Sequence, residues 1–169
     1  MLKGWPYGPV LLGAMALFAL AGVVHAVGWR VKVGRPGQAV AELAFAGGAV
    51  LMAGLWLYRW RHVGHLPMQG MFEIFLLMGA LVYPLFAFSR ALLGARMPWS
   101  ACAIALVLAF PAAVVNGAGF SDAVRNLPPA LDHWLFGPHV AVYMLSYVVM
   151  TLAAIHALAA IAASIFPGN

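Results

Sequence analysis

The stretch Met71–Leu93, MFEIFLLMGALVYPLFAFSRALL, decides the fold class of this chain. Its only charged residues are Glu73 and Arg90, one near each end. A helix that crosses a bilayer needs about 20 consecutive, mostly apolar residues, and this stretch has that length. Its apolar residues do not alternate with polar ones, and a spanning segment must satisfy its own backbone hydrogen bonds. We therefore predict a membrane helix rather than a barrel strand.

Four further apolar stretches predict the rest of the bundle. They cover residues 9–27, 39–57, 99–117 and 138–165. The composition agrees, because the chain is 65% hydrophobic and 8% charged, whereas soluble domains carry about 25% charged residues. The sequence therefore predicts an all-α integral membrane helical bundle of about five transmembrane helices. We expect residues 1–169 to form a single domain surrounded by membrane lipid.

The charged residues and the single cysteine narrow the function classes. A net charge of +5 in such an apolar chain indicates basic loops beside lipid headgroups and gives no reason to expect nucleic-acid binding. Cys102 lies alone in an apolar run, so neither a disulfide framework nor a CxxCH site for covalent haem is present. We interpret Cys102 as a packing residue.

Basic residues around the first span predict the topology. Lys3 precedes the span, whereas Arg30, Lys32 and Arg35 follow it. The positive-inside rule then places the following loop in the cytoplasm and the N-terminus outside a bacterial inner membrane, with a cytoplasmic C-terminus. The apolar run is longer than the 7–15 residues, roughly, of a signal-peptide core, so we expect it to be retained as a span.

The histidines fall into two layers under this topology. Four are expected near the outer face: His62, His65, His133 and His139. His25 and His156 lie inside spans toward the inner face, where an ionisable residue suggests function, although one interhelical hydrogen bond can satisfy a neutral histidine. His139, at the mouth of the last span, suits an axial haem ligand or a simple interfacial anchor. On one straight helix, His139 and His156 are about 25 Å apart along the axis. Their side chains point in directions about 100° apart around that axis, so they do not share a face.

Two short motifs carry a family resemblance. Residues 59–76 read RWRHVGHLPMQGMFEIFL, in which Gly-His-Leu-Pro precedes Phe72 and Glu73, and Glu73 suits the first turn of a helix. Residues 127–147 read LPPALDHWLFGPHVAVYMLSY. In this order they resemble the GHxP…YE and PALxS-W-x-x-H-V…SY segments of the CcsA/ResC-type cytochrome c assembly proteins. These proteins are the haem-handling membrane component of the system II pathway, and the resemblance covers about residues 39–165.

The resemblance implies roles for individual residues. The histidine of the second family segment is an external axial ligand, which implies His139 as a ligand to haem b, with His65 as a further cofactor contact and Glu73 and Trp134 in support. The family presents haem on a Trp-rich segment, WGxxWxWD, which this sequence lacks, and Asp132 replaces the family serine. The chain thus resembles the N-terminal half of the family fold, and a second membrane subunit is expected to complete the haem site.

Three functions follow from the sequence. The first is cytochrome c biogenesis, in which the chain positions haem b at the outer face for attachment to apocytochrome c, as part of a haem lyase complex. The alternative is a haem b- or quinone-binding membrane anchor subunit of a respiratory complex, which uses His25 and His156. A third is a structural anchor without a cofactor. Glu42, near the inner end of the second span, is expected to pair with a loop arginine.

Overall fold

The protein is a bundle of membrane-length helices. The computed structural model describes residues 7–31, 34–94, 98–117 and 133–165. In these ranges the chain forms helices only: α1 Tyr7–Arg30, α2 Arg35–Val63, α3 Met71–Leu93, α4 Pro98–Gly117 and α5 Phe136–Ile165. All five are long and apolar enough to cross a bilayer. The predicted all-α class with five spans is confirmed, and the chain is a multi-pass membrane protein.

Helix α2 differs most from its prediction, since the expected span covered only residues 39–57. The polar stretch after Leu57, predicted to be loop, continues the helix to Val63. The hydropathy of a stretch indicates which residues lie in the hydrocarbon layer. The helix itself continues beyond them until a residue ends it. Here the stop is Gly64, whose left-handed backbone (φ 75°) lets its N–H donate to the carbonyl of Trp60. Arg59, two residues beyond the end of the predicted span, is therefore helical and buried.

Four helices surround the core and the fifth lies outside them. Helix α1 packs against α2 and α4, and α3 packs against the same two helices. Helix α5 lies mainly on α3, with fewer contacts to α4, and is the least buried helix. We call the end of the bundle where α2 ends and α3 begins the Glu73 end. The opposite end, where α1 ends and α2 begins, is the Glu42 end.

Small residues and aromatic rings set the helix spacing in the core. Phe18 of α1 meets Phe45 of α2 edge to face, with ring centroids 5.9 Å apart, and both side chains are fully buried. Gly48 lies beneath the Phe18 ring, so closely that a Cβ atom there would be 2.5 Å from Cε1. The absence of a side chain at Gly48 therefore permits the close approach of α1 and α2. Cys102, elsewhere in this core, is buried and free, as expected of a packing residue.

The substitution Gly48→Ala is expected to destabilise the protein by about 1–3 kcal/mol, because the added methyl group overpacks a rigid aromatic contact. Gly54→Ala in the same helix is the matched control, since nothing lies within 4 Å of the added Cβ there. Alanine favours a helix over glycine by about 1 kcal/mol, so the control should be neutral or stabilising. Thermal unfolding in detergent measures both variants. Equal melting temperatures for the two would contradict the packing assigned to Phe18.

Candidate functional site

A buried ion pair organises the Glu73 end. Arg59 Nε donates to Glu73 Oε1 at 2.9 Å, and the two side chains are 3% and 6% exposed. Glu73 Oε2 accepts the backbone N–H groups of Gln69 and Gly70, at 3.0 and 3.1 Å. These N–H groups precede α3, where the positive end of the helix dipole also favours a carboxylate. Glu73 therefore joins α2, the turn at residues 64–70 and the start of α3.

Two further contacts hold the turn and the start of α3 against α2. The indole Nε1 of Trp56 donates to the carbonyl of Pro67 at 3.0 Å in a buried hydrogen bond. The guanidinium carbon of Arg59 lies 5.9 Å from the centroid of the Phe72 ring. Because one contact holds the turn itself and the other holds the helix that follows it, the Gly-His-Leu-Pro segment has a fixed position relative to the helices.

The two sequence motifs meet at the Glu73 end. A Cβ atom at Gly137, in the first turn of α5, would lie 2.6 Å from Leu66 Cδ2, so Leu66 packs directly on this glycine. The neighbouring His65 is partly buried, and its Nδ1 lies 3.1 Å from the carbonyl oxygen of Leu66. The turn that Glu73 anchors therefore contacts the segment that carries His139.

His139 lies in an open groove at the start of α5. The groove has a volume of about 570 Å³ and is lined by His133, Leu135, Phe136, Pro138, His139 and Val142. His139 is exposed, and its ring meets Tyr143 edge to face at 4.7 Å. Trp134 is 77% exposed, and Asp132 is outside the described residues. Every lining residue comes from one stretch of chain, and His65 is not among them, so a haem held here would need a second surface.

A larger cavity of about 880 Å³ occupies the Glu42 end. All five helices line it, including His25 of α1, Glu42 of α2, Arg90 of α3, Trp99 of α4 and His156 of α5. Its volume falls within the range of about 300–1,000 Å³ that is typical of ligand and cofactor pockets. The structure thus brings His25 and His156, predicted to share a layer, to the walls of one cavity.

Three of the side chains that line this cavity have buried nitrogen atoms without a hydrogen-bond partner in the described part of the chain. They are His25 Nε2, Trp99 Nε1 and His156 Nε2. A fourth such atom, Gln69 Nε2, lies at the other end. An unpaired buried polar group costs about 1–3 kcal/mol, so several around one cavity indicate a ligand or ordered water.

The hydrogen bond of His156 sets which ring nitrogen is protonated. Its Nδ1 lies 2.7 Å from the carbonyl oxygen of Leu152. A carbonyl oxygen only accepts, so Nδ1 carries the proton, and Nε2 of the neutral ring presents a lone pair. Histidines that bind metals are oriented by this kind of bond. A quinone oxygen also only accepts, so it cannot bond to this Nε2, whereas a haem iron can.

The chemistry of the donor set fits haem better than a bare ion. Among the described residues, no group of three or more His, Cys, Asp or Glu side chains could hold a metal ion. The porphyrin supplies four iron ligands itself, so two imidazoles from the protein would be a suitable set to hold it. His25 and His156 are therefore the residues that would hold a haem at this end.

Charged groups complete the cavity at the Glu42 end. Glu42 forms an ion pair with Arg90, in the last turn of α3, so its partner is an arginine of a helix and not the predicted loop arginine. Arg35 and Gln38, in the first turns of α2, also line the cavity. Sequence reasoning did not predict Trp99 or Arg35 as part of a site. Both lie near helix ends, and the order of residues along the chain does not show that these two ends are close together.

Comparisons with protein families, with characterised proteins and with solved structures give no match.

Proposed function

We propose that the protein handles haem in cytochrome c assembly and binds haem b in the cavity at the Glu42 end through His25 and His156. The observation that carries this proposal is the presence of two buried, unpaired imidazole nitrogens on one cavity. Bound haem would supply an iron centre that can change oxidation state, and the imidazoles would stabilise it in both states. The role in cytochrome c assembly is supported by the two motifs, which contact each other through Leu66 and Gly137.

The proposed orientation puts the Glu42 end at the cytoplasmic face of a bacterial inner membrane and the Glu73 end outside. His139 is then an external ligand in a groove with one wall. A second membrane subunit supplies the other wall, and apocytochrome c supplies the thiols that react. Within this chain, Arg59 and Glu73 act as positioning residues, because they fix the turn that packs on the start of α5.

Tyrosines on α5 support the proposed second subunit. Tyr143 and Tyr147 are exposed with stacked rings, and in the part of the chain that the structure describes their hydroxyl groups make no hydrogen bond. Tyr147 lies about 17 Å along α5 from Phe136, which reaches well into a hydrocarbon layer of about 30 Å. A hydroxyl group without a partner is unfavourable there. A neighbouring helix that accepts these hydroxyls would remove that cost.

The double substitution Tyr143→Phe and Tyr147→Phe is expected to lower the formation of c-type cytochromes and to leave haem bound at the Glu42 end. It removes only hydroxyl groups, so the loss would report on contact with the second subunit. Met150→Leu, at a residue that is 66% exposed on the same helix, is the control and should have no effect. Haem staining of membrane proteins measures the first result and the visible spectrum the second. Full cytochrome c formation in the double variant would contradict this role of the tyrosines.

The proposed function is tested in cells that lack the chain. We expect c-type cytochromes to be absent, to return with the wild-type chain, and not to return with His25→Ala or His156→Ala. Normal c-type cytochromes without the chain would overturn the assembly role. If the cavity still bound haem in that case, the observations would favour a subunit of a respiratory complex.

A further inference from the structure

Apart from the histidines, the polar groups of the cavity at the Glu42 end are mostly donors. Arg35, Arg90 and Trp99 can donate hydrogen bonds and cannot accept them. The indole N–H of Trp99 has no partner among the described residues. Apart from the histidines, only the side chains of Glu42 and Gln38 can accept a hydrogen bond. A ligand that satisfies this set must present acceptor oxygens.

The charge at the cavity points to the same kind of ligand. Two guanidinium groups and one carboxylate line it, which leaves one positive charge in excess. Arg90 has five N–H donors, and Glu42 cannot occupy all of them. Arginine is well suited to carboxylates because its planar fork can donate two parallel hydrogen bonds.

The donors lie closer to the membrane surface than the imidazoles do. Arg35 is the first residue of α2, and Trp99 follows the first residue of α4. His25 lies about 8 Å along α1 from its last residue, and His156 about 14 Å along α5 from its last residue. An amphiphilic ligand fits this gradient if its metal lies deeper and its acidic groups face the surface.

We propose that Arg35, Arg90 and Trp99 bind the propionate carboxylates of haem, and that Glu42 competes with those carboxylates for Arg90. This inference rests on the proposed function, because it assigns the ligand's acidic edge in the same cavity. When no ligand is present, the carboxylate of Glu42 occupies the guanidinium of Arg90. A propionate at Arg90 lies beside this carboxylate and competes with it for the same guanidinium. Glu42 therefore weakens the binding of haem and lowers its advantage over a ligand without carboxylates.

The test compares haem with haem dimethyl ester, whose propionates carry no charge. Both are titrated into the detergent-purified full chain, and the ratio of their dissociation constants is measured. The ratio cancels effects of a variant on folding or on iron ligation. We expect wild type to prefer haem by at least about tenfold, which is the low end of what one charge-assisted hydrogen bond supplies. Arg35→Gln and Arg90→Gln should reduce that preference, and Glu42→Gln should raise it.

Arg61→Gln is the matched control, because Arg61 is an exposed arginine in the last turn of α2, at the Glu73 end. Its ratio should equal that of wild type. Equal affinities for haem and its ester, with binding still dependent on His156, would overturn this inference and leave the proposed function intact. A preference that is unchanged in Glu42→Gln would remove Glu42 as the competitor. Binding that depends on neither His25 nor His156 would overturn the proposed function and this inference with it.

Discussion

Glu73→Ala is expected to destabilise the protein by about 3–5 kcal/mol, because it removes the carboxylate that pairs with the buried guanidinium of Arg59 at 2.9 Å. Arg59 is 3% exposed, so water cannot replace the lost carboxylate. The backbone N–H groups of Gln69 and Gly70 lose their acceptor as well. Thermal unfolding in detergent, followed by circular dichroism, measures the effect. We expect the turn at residues 64–70 to become susceptible to proteolysis at temperatures where the helices remain folded.

The pair of Glu42 and Arg90 provides the control for this prediction. Their side chains are 27% and 48% exposed, and exposed ion pairs contribute about 0–1 kcal/mol. Glu42→Gln should therefore leave the melting temperature almost unchanged. A double variant, Arg59→Met with Glu73→Gln, should be more stable than the sum of its single variants predicts, since it removes both charges of the buried pair together. A Glu73→Ala protein as stable as Glu42→Gln would contradict the structural role of the buried pair.

His156→Ala is expected to reduce haem affinity by at least about 100-fold. Removal of a group that merely orients a metal ligand costs roughly 10–100-fold, and removal of the ligand itself should cost at least as much. His25→Ala should have a comparable effect, because its Nε2 is the other unpaired imidazole nitrogen at the cavity. Titration with haem in detergent, read at the Soret band, measures these affinities.

His62→Ala is the matched control for His156→Ala. His62 also bonds through Nδ1 to the carbonyl four residues earlier, that of Tyr58, at 2.8 Å. It lies at the Glu73 end, away from the cavity, so its removal should not change haem affinity there. An equal loss in His62→Ala and His156→Ala would show a general effect on folding and would contradict the assignment of His156 as ligand.

The sequence predicted the five helices because a membrane span is encoded locally, by the length and hydropathy of one stretch. It also predicted that His25 and His156 lie in a different layer from the other histidines, because successive spans cross the membrane in opposite directions. It did not predict the extension of α2 to Val63, where polar residues continue a helix beyond the apolar run. It did not predict the burial of Arg59 either, because the residues that contact Arg59, Glu73 and Phe72, belong to the next helix, α3.

The composition of the cavity was beyond sequence reasoning for a different reason. His25, Trp99 and His156 come from α1, α4 and α5, and only the packing of the bundle brings these helices to one cavity. The contacts of the first motif explain the spacing of its residues. Glu73 anchors the turn and Leu66 packs on Gly137, so the spacing of this motif reflects the structure of the turn.

A reduced-minus-oxidised visible spectrum of the detergent-purified chain, with haem quantified as its pyridine haemochrome, tests the central claim most directly. The proteins compared are wild type, His25→Ala, His156→Ala and His139→Ala. We predict a b-type haem signal in wild type and in His139→Ala, and its loss in the other two variants. A signal that survives both His25→Ala and His156→Ala, or that is lost only in His139→Ala, would contradict haem binding at the Glu42 end.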